Sequence, residues 1–307
     1  MRRTTSLDLS RPRGPAGPVE VVGRGRDVRT GGDGSATVTA SALVRLTVSP
    51  AGRVTRLRAH PRSPGLDHLV GRRAVVGWRT GLWRHLRAEQ DAGTVLHLLL
   101  DDLPGGMIIG GFTRHVEEAE LARSAPGPVS EPGRPLDVCA GWAAESRAAR
   151  ELDRTGSPPP PATRPAPSLV SPEDATGWHT VPALPRFGIG RRRRLDVVLD
   201  GPDILVEAMF RDSFLDADGG EQVLHEYVVH ATVDGVDGTL REIRAEPHVL
   251  PHEECPVAAV SVRALRGAPV SSLRDRVSAE LFGPTTCTHL NDVVRGLADV
   301  PALVGIP

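Results

Sequence analysis

The chemistry of this sequence concentrates in two cysteines that each open a helical pattern and in a histidine two residues beyond the second. The stretch CPVAAVSVRALRGAPVSSLRDRVSAELFGPTTCTHLND runs from Cys255 to Asp292. Pro256 suits a first helical position, where the N–H it lacks would be unpaired in any case. Ala258, Ala259, Val262 and Leu265 then recur at helical spacing until Gly267. Cys287-Thr288-His289 heads a second pattern carrying Leu290, Val293, Val294 and Leu297. The free amides and the dipole of a helix start favour a thiolate over a thiol. Cys255, Cys287 and His289 therefore fit a metal site, or a reactive thiol with His289 as base. Burial as inert small hydrophobes fits the two cysteines as well.

Adding Cys139, from the segment DVCAGW, makes a Cys₃His set. Thiolates and imidazole suit zinc or an iron–sulfur cluster far better than magnesium or calcium. Four protein ligands close a zinc shell and imply a structural role, whereas three leave a position at which water is activated. No C-x-x-C pair is present, and His248 and His252 stand near as reserve ligands. His225-Glu226 and Glu207 are acid–base types. Strand alternation sends His225 and Glu226 to opposite faces, and Glu207, Arg211 and Asp212 read as ion-pairing residues. Neither a G-x-S-x-G elbow nor an H-E-x-x-H helix occurs, and Gly188 and Gly190 are too few for a dinucleotide fingerprint.

An absence removes further classes. All 37 basic residues are arginine. Schiff-base, pyridoxal-phosphate, P-loop and kinase chemistry each need a lysine and are excluded. Tyr227 is the single tyrosine, so no Tyr-x-x-x-Lys pair exists either. A formal net charge of −1 points away from nucleic acid and membrane surfaces as partners. No apolar run approaches the roughly 20 residues that span a bilayer, and MRRTTSLDLS lacks a signal-like apolar core. Three cysteines make no disulfide framework, so a reducing cytoplasm is the expected location.

The elements that must position these residues fall into four stretches. Residues 1–35, rich in Arg, Gly and Pro, read as an arm with little regular structure. Residues 36–120 form a first α+β unit without cysteines: strands in ATVTASALVRLTVSP and RVTRLRAHP, then one or two helices ending before Pro104. Residues 121–185 read as a Pro-rich linker, although Cys139 beside Trp142 implies that DVCAGW docks onto a folded unit. Residues 186–307 form a second α+β unit, with strands in RRRRLDVVLD, DILVEAMFRDSFLD, QVLHEYVVHATVDG and TLREIRAEP. Its run Arg191–Arg194 reads as a solvated strand start. The fold class is α+β, two related units of antiparallel sheet packed on helices.

The relation between the units rests on an internal match. GRVTRLRAHP (52–61) aligns without a gap to GTLREIRAEP (238–247), Leu69/Gly71 to Leu265/Gly267, and His97-Leu98 to His289-Leu290. Val95 stands where the second copy has Cys287. Cysteines kept in one copy only fit one working half and one scaffold half.

TTCTHLNDVVRGLADV, EAMFRDS, HEYVV and LPHEECP together resemble the bacterial domain-of-unknown-function family 2889. The upstream DVCAGW and RRRRLDV resemble its longer members, extending the likeness over most of the chain. The resemblance implies recurring motif positions at Cys139, Glu207, Arg211, Asp212, His225, Glu226, Cys255, Cys287, His289 and Asp292, and no established activity. A weaker likeness is to iron–sulfur scaffold proteins, in which a cysteine also opens a helix after a sheet and turn. Here no cysteine lies inside the sheet, and Cys139 would have to substitute.

Overall fold

The computed structural model describes residues 1–124 and 135–306. Most of the Pro-rich stretch SAPGPVSEPGRP lies outside the described residues. The strands are β1 (Arg2–Ser10), β2 (Val19–Thr30), β3 (Ala36–Val48), β4 (Val54–His60), the two-residue β5 (Arg164–Pro165), β6 (Ile189–Asp200), β7 (Asp203–Leu215), β8 (Glu221–Asp234) and β9 (Leu240–Val249). Their order is β4-β3-β2-β1-β6-β7-β8-β5, with β9 also pairing β8. The expected α+β class is what forms, a large antiparallel sheet packed with helices. The four strands expected in the C-terminal part are β6 to β9.

The chain separates into two compact units. The first comprises Met1–Ser130, Pro165–Arg194 and Asp212–Gln222; the second comprises Glu131–Arg164, Leu195–Arg211 and Val223–Pro307. β6, β7 and β8 thus contribute residues to both.

In the first unit, residues 1–35 are not an arm. They supply β1 and β2, paired from Arg2↔Val28 to Ser10↔Glu20. The composition misled because the inward positions of β2 include glycines. The space of a Cβ at Gly23 is filled by Leu7 and Leu99 side chains at 3.1 and 3.3 Å. At Gly25 it is filled by Val95 Cγ1 at 2.6 Å. Glycine here lets a helix approach the sheet, and a side chain would push it off. That helix is α3 (Val95–Asp101), preceded by α1 (Trp78–His85) and α2 (Arg87–Asp91). Thr94 caps α3 by accepting from the His97 N–H at 3.1 Å.

Helical structure does not end at Pro104, because α4 (Leu103–Ser124) carries that proline in its first turn, where no amide is needed. By length and composition Val95–Arg123 would suit a membrane, but most of it is buried against protein.

Arg191, Arg192 and Arg193 are buried, which corrects the reading of a solvated run. Arg191 pairs with Asp212 at 2.9 Å and reaches Asp102 at 3.5 Å. Arg192 pairs with Asp8 at 2.6 Å, and Arg193 with Asp102. Each cation is matched by an acid distant in sequence, which is what burial of charge requires.

The second unit contains α5 (Arg147–Thr155), α6 (Leu273–Glu280), α7 (Thr288–Gly296) and α8 (Val300–Val304). Cys255–Leu265 is a 3₁₀ helix rather than the α-helix its spacing implied. Each unit closes its last long strand with the same arrangement. In the first, Val54 N–H donates to Arg72 and Gly71 N–H to Val54, at 2.9 and 2.7 Å. In the second, Leu240 N–H donates to Ala268 and Gly267 N–H to Leu240, both at 2.8 Å. Gly71 (φ 86°) and Gly267 (φ 83°) take the left-handed backbone that both closures demand.

Candidate thiol and imidazole site

The candidate residues of the second unit lie on β8, on the 3₁₀ helix Cys255–Leu265, at the head of α7 and on the DVCAGW segment. β8 alternates, so His225, Tyr227 and Val229 share a buried face. Glu226, by contrast, pairs with Arg211 and lies 3.4 Å from His248. The expected division of His225 and Glu226 between faces therefore holds. It also removes His248 from the thiols as a reserve ligand. Glu207 lies 4.0 Å from His230, a pair that is charged only when that ring is protonated, and burial lowers the ring's pKa.

Cys287 is the residue immediately before α7, and Leu290, Val293, Val294 and Leu297 follow it into the core as their spacing required. Cys287 Sγ stands 3.9 Å from His289 Nδ1. Both residues are buried, at 4% and 7% exposure. The His289 ring stacks on His225 with centroids 3.7 Å apart and planes at 18°. Ligand nitrogens of these two histidines lie within 4.8 Å of each other. Phe210 stands beside His289 at 6.3 Å. Sequence reasoning did not bring His225 to this place. The signal was present in its parity with Tyr227 on β8, but nothing local joins β8 to α7.

The DVCAGW segment is folded. Ala140–Trp142 forms a 3₁₀ turn starting from Cys139. Ala140 N–H donates to Thr286 O at 2.8 Å, and the Trp142 ring meets His252 edge-on at 5.8 Å. A Cβ on Gly141 would lie 2.7 Å from Cys255 Sγ and 2.9 Å from His252 Cδ2. Just beyond, Arg147 N–H donates to Glu254 Oε1 at 2.6 Å. The expectation that Cys139 and Trp142 dock onto a folded unit is met by these contacts, and all three cysteines belong to one unit.

The three thiols feel one another. Burial pushes Cys287 up to about 11, with Cys139 adding to the rise, while the Tyr227 hydroxyl and the amides of Leu290 and His289 oppose it. Burial likewise pushes Cys255 up to about 12, reinforced by Cys287 and then Cys139. Cys139 is raised by burial and drawn back by the amides of Trp142 and Gly141. Tyr227 is fully buried, and burial followed by the fields of Cys287, Cys255 and Cys139 lifts its pKa far above the phenol range. Its hydroxyl interacts with the Cys287 sulfur but makes no hydrogen bond of full geometry.

The cysteines are free and form no disulfide. Among the described residues, none of them belongs to a group of three ligand types whose donor atoms converge within 4.8 Å. Cys139, Cys255, Cys287 and His289 are thus neighbours in one site without forming a closed ligand shell.

Comparison with curated proteins and with solved structures finds no significant match, and the likeness to iron–sulfur scaffold proteins gains no support. The family likeness is narrower than the motifs implied, since the segment carrying Cys139 falls outside it. Residues 189–303, from the start of β6 into α8, match the family model described as Protein of unknown function (DUF2889).

Proposed function

We propose that the second unit is a metal-binding module in which Cys287, His289 and Cys255 hold zinc or an iron–sulfur centre, Cys139 being supplied by the docked DVCAGW segment. The observation that carries this reading is the 3.9 Å approach of Cys287 Sγ to His289 Nδ1 at a buried helix head. Zinc bonds of about 2.3 Å to sulfur and 2.0 Å to nitrogen, set at a tetrahedral angle, separate two such donors by about 3.5 Å. His225, stacked on His289, is the imidazole at hand if Cys139 stays out.

The donor set fits such a group in two further respects. Backbone amides face the sulfurs of Cys139 and Cys287, the arrangement that supports a thiolate. The Tyr227 hydroxyl, buried without a full hydrogen bond, gains an anionic acceptor once Cys287 is charged. A bound cation would offset the burial and mutual repulsion that keep these thiols neutral, and a closed shell would crosslink β8, α7 and the DVCAGW segment.

The raised thiol pKa values work against a nucleophilic cysteine with His289 as base, because little thiolate exists near neutral pH. The matched strand closures support a reading of the two units as copies of one ancestor, with Val95 and His97 in the first standing for Cys287 and His289. Reduced thiols suit a cytoplasmic location.

Elemental analysis and absorption spectroscopy of anaerobically purified protein test the proposal. About one equivalent of zinc, or iron with cluster absorption, is expected, and Cys287→Ser should lose it. Protein free of metal under these conditions overturns the reading and leaves a metal-free binding or assembly module.

A further inference from the structure

We infer that the outward face of β3 and β4 in the first unit binds the phosphodiester backbone of a nucleic acid without reading its sequence. The register places Arg45 directly opposite Arg58, and Thr47 opposite Arg56. Their inward neighbours Val44, Leu46 and Leu57 are buried, so the three arginines stand on the other face, and all three are exposed. Among the described residues, none of the three guanidiniums takes part in a hydrogen bond or ion pair, whereas Arg24 and Arg26 of the adjoining strand do. Arg24 pairs with Asp8, and Arg26 donates to the carbonyls of Thr176 and Trp178. Glu20, register-paired with Thr47, accepts from that hydroxyl at 2.9 Å.

Like charges set directly across an antiparallel pair repel, and a protein gains from such a pair when an anion lies between the charges. Two separations select the anion. Arg45 and Arg58 belong to strands whose facing Cα atoms are about 5 Å apart, while Arg56 and Arg58 stand about 7 Å apart along one strand. An added acidic strand presents carboxylates to one face at only the second spacing. The dense phosphates of a nucleic acid, each accepting a two-pronged guanidinium, satisfy both. No Phe, Tyr or Trp stands among these register pairs, and His60 is the single ring beside Arg58, so recognition is chiefly of the backbone. Net charge could not reveal this site, because the register joins residue 45 to residues 56 and 58.

Fluorescence anisotropy of a labelled duplex of arbitrary sequence, titrated with full-length protein at several salt concentrations, tests it. Binding is expected at low salt, with log K falling against log salt at a slope of about −3 for three phosphate contacts. Arg45→Gln/Arg56→Gln/Arg58→Gln should weaken binding about tenfold or more at the lowest salt and flatten that slope. Arg263→Gln/Arg266→Gln, which alters exposed arginines of the second unit, should bind as wild type does. Failure to bind at low salt, or equal binding by the triple variant, overturns the inference. Preference for polyglutamate over the duplex also overturns it and assigns the patch to an acidic protein segment.

Discussion

Ala140 donates its backbone N–H to the carbonyl of Thr286 at 2.8 Å, and the residues beside that bond are Cys139 and Cys287. One main-chain hydrogen bond between segments about 150 positions apart thus sets the approach of two thiols.

That docking depends on Gly141. A Cβ there would press on Cys255 Sγ and His252 Cδ2 at 2.7 and 2.9 Å, so Gly141→Ala should lift the turn from the 3₁₀ helix. A cost of about 1–3 kcal/mol is expected, as for other overpacked sites. Urea denaturation measures the loss. Faster alkylation of Cys139 would show that the turn has lifted, and unchanged alkylation with unchanged stability would refute the dependence.

Tyr227→Phe separates the empty from the loaded site. The buried hydroxyl lacks a full hydrogen bond, so its removal should leave chelator-treated protein equally stable or about 1 kcal/mol more stable. Zinc should stabilise the variant less than wild type, because the thiolate of Cys287 loses a donor. Thermal melts with and without zinc decide this, and an equal zinc-induced rise in both proteins would sink the role assigned to the hydroxyl.

The first unit carries a pH dependence at His179, whose nitrogens meet Thr4 Oγ1 at 2.9 Å and Ser6 Oγ at 2.8 Å. Burial, then the nearby Arg192, Arg26 and Arg24, lowers its pKa from 6.5 to about 4. The unfolded chain therefore takes up the proton first. The contribution is complete above 6.5 and is lost as pH falls toward 4. A loss on the order of 2 kcal/mol is expected across that window, allowing for partial exposure. Denaturation midpoints of wild type and His179→Gln should converge as pH falls, and parallel profiles would contradict the assignment.

Arg45→Thr should stabilise the metal-free, ligand-free chain. It replaces a like-charge pair opposite Arg58 with a β-branched residue on an exposed strand face, a change worth about 0.2–1 kcal/mol. A lower melting temperature would show that the arginines are already neutralised within the fold.

The sequence was most informative where periodicity and local chemistry agree. The strands of the C-terminal part and the buried stripe of Leu290, Val293, Val294 and Leu297 follow directly from spacing. β1 and β2 stayed hidden because Gly23 and Gly25 occupy inward positions where an apolar residue would announce a strand. Burial of Arg191–Arg193 was equally hidden, since Asp8, Asp102 and Asp212 that neutralise them lie far away in the chain. The site was half legible. Types and spacing picked out Cys255, Cys287 and His289, and Trp142 signalled docking. The stacking of His225 on His289 and the position of Tyr227 among the thiols are products of the tertiary fold.

The long-range pairing of those arginines also bears on the order in which a growing chain acquires its structure. Asp8 and Asp102 leave the ribosome well before Arg191, Arg192 and Arg193, which follow Asp102 by about 90 residues. Until then Asp102 lacks the guanidiniums of Arg191 and Arg193, whereas Asp8 already has Arg24 beside it, so the packing around Asp102 reaches its final density only after β6 has emerged. The first unit is therefore completed late, by residues that arrive after most of the second unit's DVCAGW segment and α5 have already emerged.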